Sequence, residues 1–192
     1  MTPLITSYTA LVDRLDRNDW ILPVLARFLF AAILLGYFWA SAQTKLGDGF
    51  FGFLSPSTGA YAQIFPKTFE AVGYDSSQLG PHHWAVTVAG TWAEFILPAL
   101  IVLGLFTRPA AVGMIGFIAL QSLTDLFGHG GIEHAATLGA WFDRMPDGVI
   151  LDQRGFWMLA LILLVVKGAG PLSLDRLLLR NAPSVRPVCQ PQ

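Results

Sequence analysis

Charge is scarce in this chain and cysteine nearly absent. Charged residues make up 13% of its 192 positions and the formal net charge is −1, so a nucleic-acid partner is not expected. The single cysteine, Cys189, lies in a proline-rich tail. With no CxxC and no CxxCH, dithiol redox chemistry, a cysteine zinc site and covalently attached haem are all disfavoured. No internal repeat is present either, and neither long loop is low-complexity in character.

What the chain has is apolar sequence. Hydrophobic residues are 54% of it and the mean hydropathy is +0.55. Four runs, at 21–42, 84–106, 110–127 and 156–172, are long enough to cross a bilayer. In the last of them the unbroken apolar core ends at Val166, so Lys167 must snorkel. The expected fold is all-α: a transmembrane four-helix bundle over 21–172, with a long structured outer loop between helices 1 and 2. A segment at 1–20 precedes it, and an amphipathic segment and tail at 173–192 come after it. Only Thr107-Arg108-Pro109 joins the second and third runs, which forces an antiparallel hairpin. Ala40-Ser41-Ala42 fits a signal-peptidase pattern. However, the 22-residue run before it is longer than a signal core and comes after Asp13, Asp16 and Asp19, so it is read as a retained span.

Lys and Arg placement sets the expected orientation. Arg14, Arg17, Arg108, Lys167, Arg176, Arg180 and Arg186 share one side; Lys45, Lys67, Arg144 and Arg154 share the other. That is seven against four, which predicts both termini in the cytoplasm. Loops 43–83 and 128–155 then face outward. The first, rich in Phe and Tyr, is expected to fold back on the bundle mouth, with a short helix near 60–72. Residues 173–179 read as an amphipathic helix on the inner surface.

Glu94 lies near the middle of the second run, where an acid is a functional-site hypothesis by default. Pro98, four residues on, has no N–H to offer the Glu94 carbonyl. Arg27 lies about two turns into the first run, within side-chain reach of mid-membrane, and makes the natural partner for Glu94. That pair reads either as a lock between helices or as a polar socket for a ligand headgroup or proton path. On the outer side the sequence collects Gln43, Lys45, His82, His83, Gln121, Asp125, His129, Glu133 and His134. Histidine with carboxylate suits zinc, copper or non-haem iron, with His82, His83, Asp125 and His129 as ligands. It equally suits proton exchange with a quinone, or a solvated polar rim. Tyr37, Trp39, Trp84, Trp141 and Trp157 read as an interfacial belt, and the deeper Trp92 as packed between helices. Ala85, Ala89 and Ala93, and the Gly113/Gly116 face, read as close helix contacts.

Three stretches resemble the DoxX family of bacterial four-helix membrane proteins. They are the Arg27 span closed by Gln43-Thr44-Lys45-Leu46, the Glu94 span continuing into Leu103-Gly104-Leu105-Phe106-Thr107-Arg108, and Lys167-Gly168-Ala169-Gly170-Pro171-Leu172-Ser173-Leu174-Asp175. The resemblance runs over about 21–179. It departs at Gln43, where glycine is common, and in the length of the Phe-rich first loop. It implies recurring polar places at Arg27, Lys45, Glu94, Arg108, Ser173 and Asp175, without their roles. It also implies kinship with a small subunit of a thiosulfate:quinone oxidoreductase.

The resulting expectation is a membrane subunit in the bacterial inner membrane that binds quinone or quinol. Arg27, Glu94, Lys45, Gln43 and Arg108 would handle ligand or protons, and a redox-protein partner or a homodimer would complete it. The rivals are a metal-handling protein of the outer face and a non-catalytic scaffold. An enzyme acting alone is disfavoured, because no complete catalytic constellation is present.

Overall fold

The computed structural model describes residues 3–16 and 18–180. Arg17, Arg186, Cys189 and the tail beyond 180 lie outside the described residues. Among those described there are helices and no strands. In chain order they are α1 (Pro3–Asp16), α2 (Ile21–Lys45), α3 (Thr58–Ile64), α4 (Pro66–Ala71), α5 (Pro81–Leu103), α6 (Thr107–Gly128), α7 (Ala135–Leu138), α8 (Val149–Lys167) and α9 (Leu174–Arg180). The helix α1 is not among the elements expected from sequence.

Helices α2, α5, α6 and α8 are each long and apolar enough to span a membrane. They run alternately up and down. α2 packs on α5 and α8, and α6 packs on the same two, which closes a ring of four. The core is a thin seam of Phe30, Leu34, Phe38, Ile101, Met114, Ile118, Leu161 and Leu164. At most 28% of any span is buried inside the protein. The remaining apolar surface, such as Phe28, Ile33, Leu120 and Phe156, is exposed and needs lipid as its solvent. One end of the bundle carries the start of α2 and the end of α8, and is called the terminal face. The other carries the long connections and is called the loop face.

Helix ends depart from the sequence reading for local reasons. α5 stops at Leu103 rather than 106, because Gly104 takes a left-handed φ of 66°. The Leu105 N–H then donates to the Leu100 carbonyl, closing a Schellman turn. The hairpin turn is therefore 104–106, and Pro109 falls in the first turn of α6, where its missing N–H costs nothing. α8 begins at Val149 rather than 156 and ends at Lys167, where Gly168 has φ 79°. In the first loop, Ser57 caps α3 by accepting from the Ala60 N–H, and Pro66 opens α4. These two short helices bury Ala60, Tyr61 and Phe69 at the loop face. Trp92 is not packed between helices: it faces outward on α5 and donates to the Phe53 carbonyl.

Candidate functional site

Lys45 ends α2 and Glu94 sits past the middle of α5. Their side chains meet, with Nζ 2.9 Å from Oε2 and 3.1 Å from Oε1. Both side chains are only 4–5% exposed. Lys45 also donates to the Ser41 hydroxyl at 2.6 Å and the Ser41 carbonyl at 3.3 Å. The partner expected from sequence, Arg27, is elsewhere. The reason is direction rather than distance. A helical Cα–Cβ bond tilts toward its own helix N-terminus. On α2 that sends Arg27 toward the terminal face and folds Lys45 back into the bundle. On the antiparallel α5 it sends Glu94 toward the loop face, where Lys45 arrives.

Arg27 instead ties the terminal face together. Its Nε donates to the Ile101 carbonyl at 3.0 Å and Nη2 to that of Val102 at 2.5 Å; Nη1 donates to the carbonyls of Ala169, at 3.1 Å, and Leu172. The first two belong to the last turn of α5, where the Ile101 carbonyl otherwise accepts only from the capping Gly104 N–H at 3.1 Å and the negative helix end favours a cation. Asp175 does the converse for α6, accepting from the Phe106 N–H at 2.7 Å and the Thr107 N–H at 2.9 Å. Ser173 accepts from Arg176 N–H and donates to the Gly170 carbonyl, and Arg108 donates to the Val166 carbonyl. A Cβ at Gly104 would lie 2.6 Å from Ser173 Cβ and 2.8 Å from Arg27 Cζ, so only glycine fits there.

Near the loop face, α2, α5, α6 and α3 enclose a cavity of about 410 Å³. Lys45, Glu94 and Ser41 line one part of it; Gln121, Asp125 and His129 line another, with Gln63 and Ile64. Ala89, Gly90 and Ala93 supply wall space, so two members of the expected alanine contact stripe make room rather than pack a helix. Gly113 does bring α6 against α5, since a Cβ there would be 3.1 Å from Leu97. Val86 and Leu120 also line the cavity and are exposed on the lipid-facing surface.

The Gln121 amide nitrogen donates to the Tyr37 hydroxyl at 3.0 Å, while its Oε1 is buried without a partner. His129 Nε2 lies 3.1 Å from the Gln63 carbonyl. Sequence reasoning misses Arg154, placing it in the second outer loop. It is buried at the start of α8, 2.5 Å from Asp125 and 2.8 Å from the Ser122 hydroxyl. Its signal was present: an arginine directly before an apolar run that must begin somewhere. α6 ends in a π turn, with the His129 N–H donating to the Thr124 carbonyl, so Asp125 and His129 do not keep plain i,i+4 spacing.

The other outer residues do not join this cavity. His82 and His83 stack at 3.8 Å between ring centroids, and His83 sets its edge against Phe65. Gln43, Glu133 and His134 are exposed. Among the described residues no three His, Cys, Asp or Glu side chains gather as a metal site. Tyr61, outside the spans, has its hydroxyl pushed above the usual tyrosine range by burial.

A model of the DoxX family matches residues 22–124, just over half of the chain. That stretch holds Arg27, Lys45, Glu94, Arg108 and Gln121, and ends just short of Asp125. No curated protein and no solved structure matches.

Proposed function

The chain belongs to the DoxX family, and from that membership and its cavity we propose that it is an inner-membrane subunit of a quinone-linked redox complex. The observation that carries this reading is a cavity, open to the lipid-facing surface, that holds the buried Lys45–Glu94 pair with Gln121, Asp125 and His129 along its wall. A small number of fixed polar groups in an otherwise apolar cavity is what orients a ligand headgroup.

The residues fit a quinone or quinol headgroup. The cavity has apolar walls, a few fixed polar groups and exposed apolar residues through which an isoprenoid tail leaves for lipid. When bound, the quinone supplies two-electron, two-proton chemistry. Electrons are exchanged with a partner redox protein. Lys45 spends its N–H groups on Ser41 and Glu94, and so holds the Glu94 carboxylate in place. Glu94 exchanges a proton at the polar end, Gln121 supplies a polar wall beside it, and His129 passes protons toward the loop face. Arg154 fixes Asp125 beside that route. Arg27 and Arg108, expected in the ligand site, act at the terminal face instead.

Native mass spectrometry of protein extracted from its own membrane in mild detergent tests the reading. Wild type should retain a quinone, and Glu94→Gln and Gln121→Leu should lose it while melting as folded proteins. Retention and quinone-coupled turnover by folded Glu94→Gln at the wild-type level would sink the reading.

A further inference from the structure

Residues 46–57 join α2 to α3 through an irregular turn on the outer flank of α5. The Trp84 indole donates to the Leu54 carbonyl at 2.8 Å and the Trp92 indole to that of Phe53 at 3.1 Å. These tryptophans are eight residues apart, about 12 Å along one helix face, and neither is buried. The turn therefore lies against the flank of the loop-face half of α5 rather than over the end of the bundle.

Irregular backbone with open polar groups is excluded from the hydrocarbon, so the turn's backbone belongs at headgroup level and only its side chains reach the acyl region. Here the Gly47 N–H donates to the Gly52 carbonyl at 3.0 Å, Gly52 to Gly49 at 3.1 Å, Leu54 to Phe51 at 2.9 Å and Ser55 to Gly52 at 3.3 Å. The two indoles take the next carbonyls. A Cβ at Gly47 or Gly52 would come within 1.9 Å of a backbone oxygen, so both glycines are required for this closure. The N–H groups of Asp48, Gly49, Phe50, Phe51 and Phe53 make no bond within the described residues, and the turn presents Phe50 and Phe51, 86% and 67% exposed. Ring contacts run on without a break from Phe50 through Phe51, Phe53, Trp92 and Phe95 to Trp39 on α2. The patch is thus continuous with the lipid-facing surface of two spans. Asp48, exposed at the same turn, belongs at headgroup level.

We propose that residues 47–55 form a lipid anchor, which seats Phe50 and Phe51 among acyl chains beside α5. The anchor also fixes the end of α2, because the Ser57 N–H and hydroxyl donate to the Lys45 and Thr44 carbonyls at 3.0 and 2.9 Å.

The test uses full-length protein with Cys189→Ser, carrying Phe51→Cys labelled with NBD and reconstituted in phosphatidylcholine–phosphatidylglycerol vesicles. Glu70→Cys, on exposed α4, serves as the aqueous reference. Position 51 should show blue-shifted emission and several-fold more quenching by acyl-chain nitroxide lipids than position 70, with little quenching by iodide. Strong iodide quenching at position 51 would overturn the proposal. Shielding from both quenchers would also overturn it, by placing a protein partner there; if dilution into excess lipid relieves that shielding, the partner is a second copy.

Discussion

Lys45 and Glu94 are each so little exposed that removing one leaves the other charge buried without its counter-ion. Lys45→Met should therefore destabilise the protein by about 3–5 kcal/mol, the usual cost of breaking a buried pair. Lys45→Met/Glu94→Leu should recover most of that loss, because an apolar pair of similar volume often replaces a buried ion pair without penalty. Denaturant titration in micelles reads both values. A double variant as weak as the single one would mean that the charge is not what holds this site. Recovered stability without recovered quinone would separate the packing role of the pair from its ligand role. Arg154 is equally buried, with Asp125 and Ser122 as partners and Trp157 beneath its guanidinium at 6.0 Å, but Asp125 keeps 31% of its side chain exposed, so losing Arg154 costs less than losing Lys45.

Helix ends decide the behaviour of the elements. The terminal face is knit by backbone groups: Arg27 covers the last carbonyls of α5, Asp175 the first N–H groups of α6, and the Asp175 N–H donates to the Gly104 carbonyl at 2.8 Å. Asp175→Ala removes both caps on α6 and should cost about 2 kcal/mol. Hydrogen exchange at the Phe106 and Thr107 amides should rise with it, and unchanged exchange there would refute the capping role. At the loop face the spans end differently. α6 closes and α8 opens with a π turn, at Thr124–Gly128 and Val149–Gln153. A π turn adds a residue to the helical repeat and re-aims the side chains beyond it. Asp125 lies within one such turn and Arg154 directly after the other, where the two side chains meet.

The whole molecule is held shut at one end and hollow near the other. Lys45 and Arg154 are consumed in ion pairs at the loop face, while Lys67 and Arg144 stand exposed there. On the terminal face Lys167 likewise pairs with Asp19 at 2.8 Å, so the expected orientation rests on the seven-against-four count in the sequence, which predicts both termini in the cytoplasm. In intact cells a membrane-impermeant maleimide should label Arg144→Cys in a Cys189→Ser background, and should reach native Cys189 only after permeabilisation; the reverse pattern would invert the topology. The four spans were legible because an apolar run longer than a bilayer is thick has few other uses, and an acid such as Glu94 stands out within one. The family was legible because its motifs are local. Helix ends were less so, since Gly104 and Gly168 act through a backbone φ that competes with an apolar run continuing past them. The sequence by itself determined how many helices are able to cross and which polar residues must be accommodated. Only the tertiary structure decided that Glu94 takes Lys45 and Arg27 takes backbone carbonyls, because partner choice depends on the direction of side chains on antiparallel helices, which spacing along one chain does not encode.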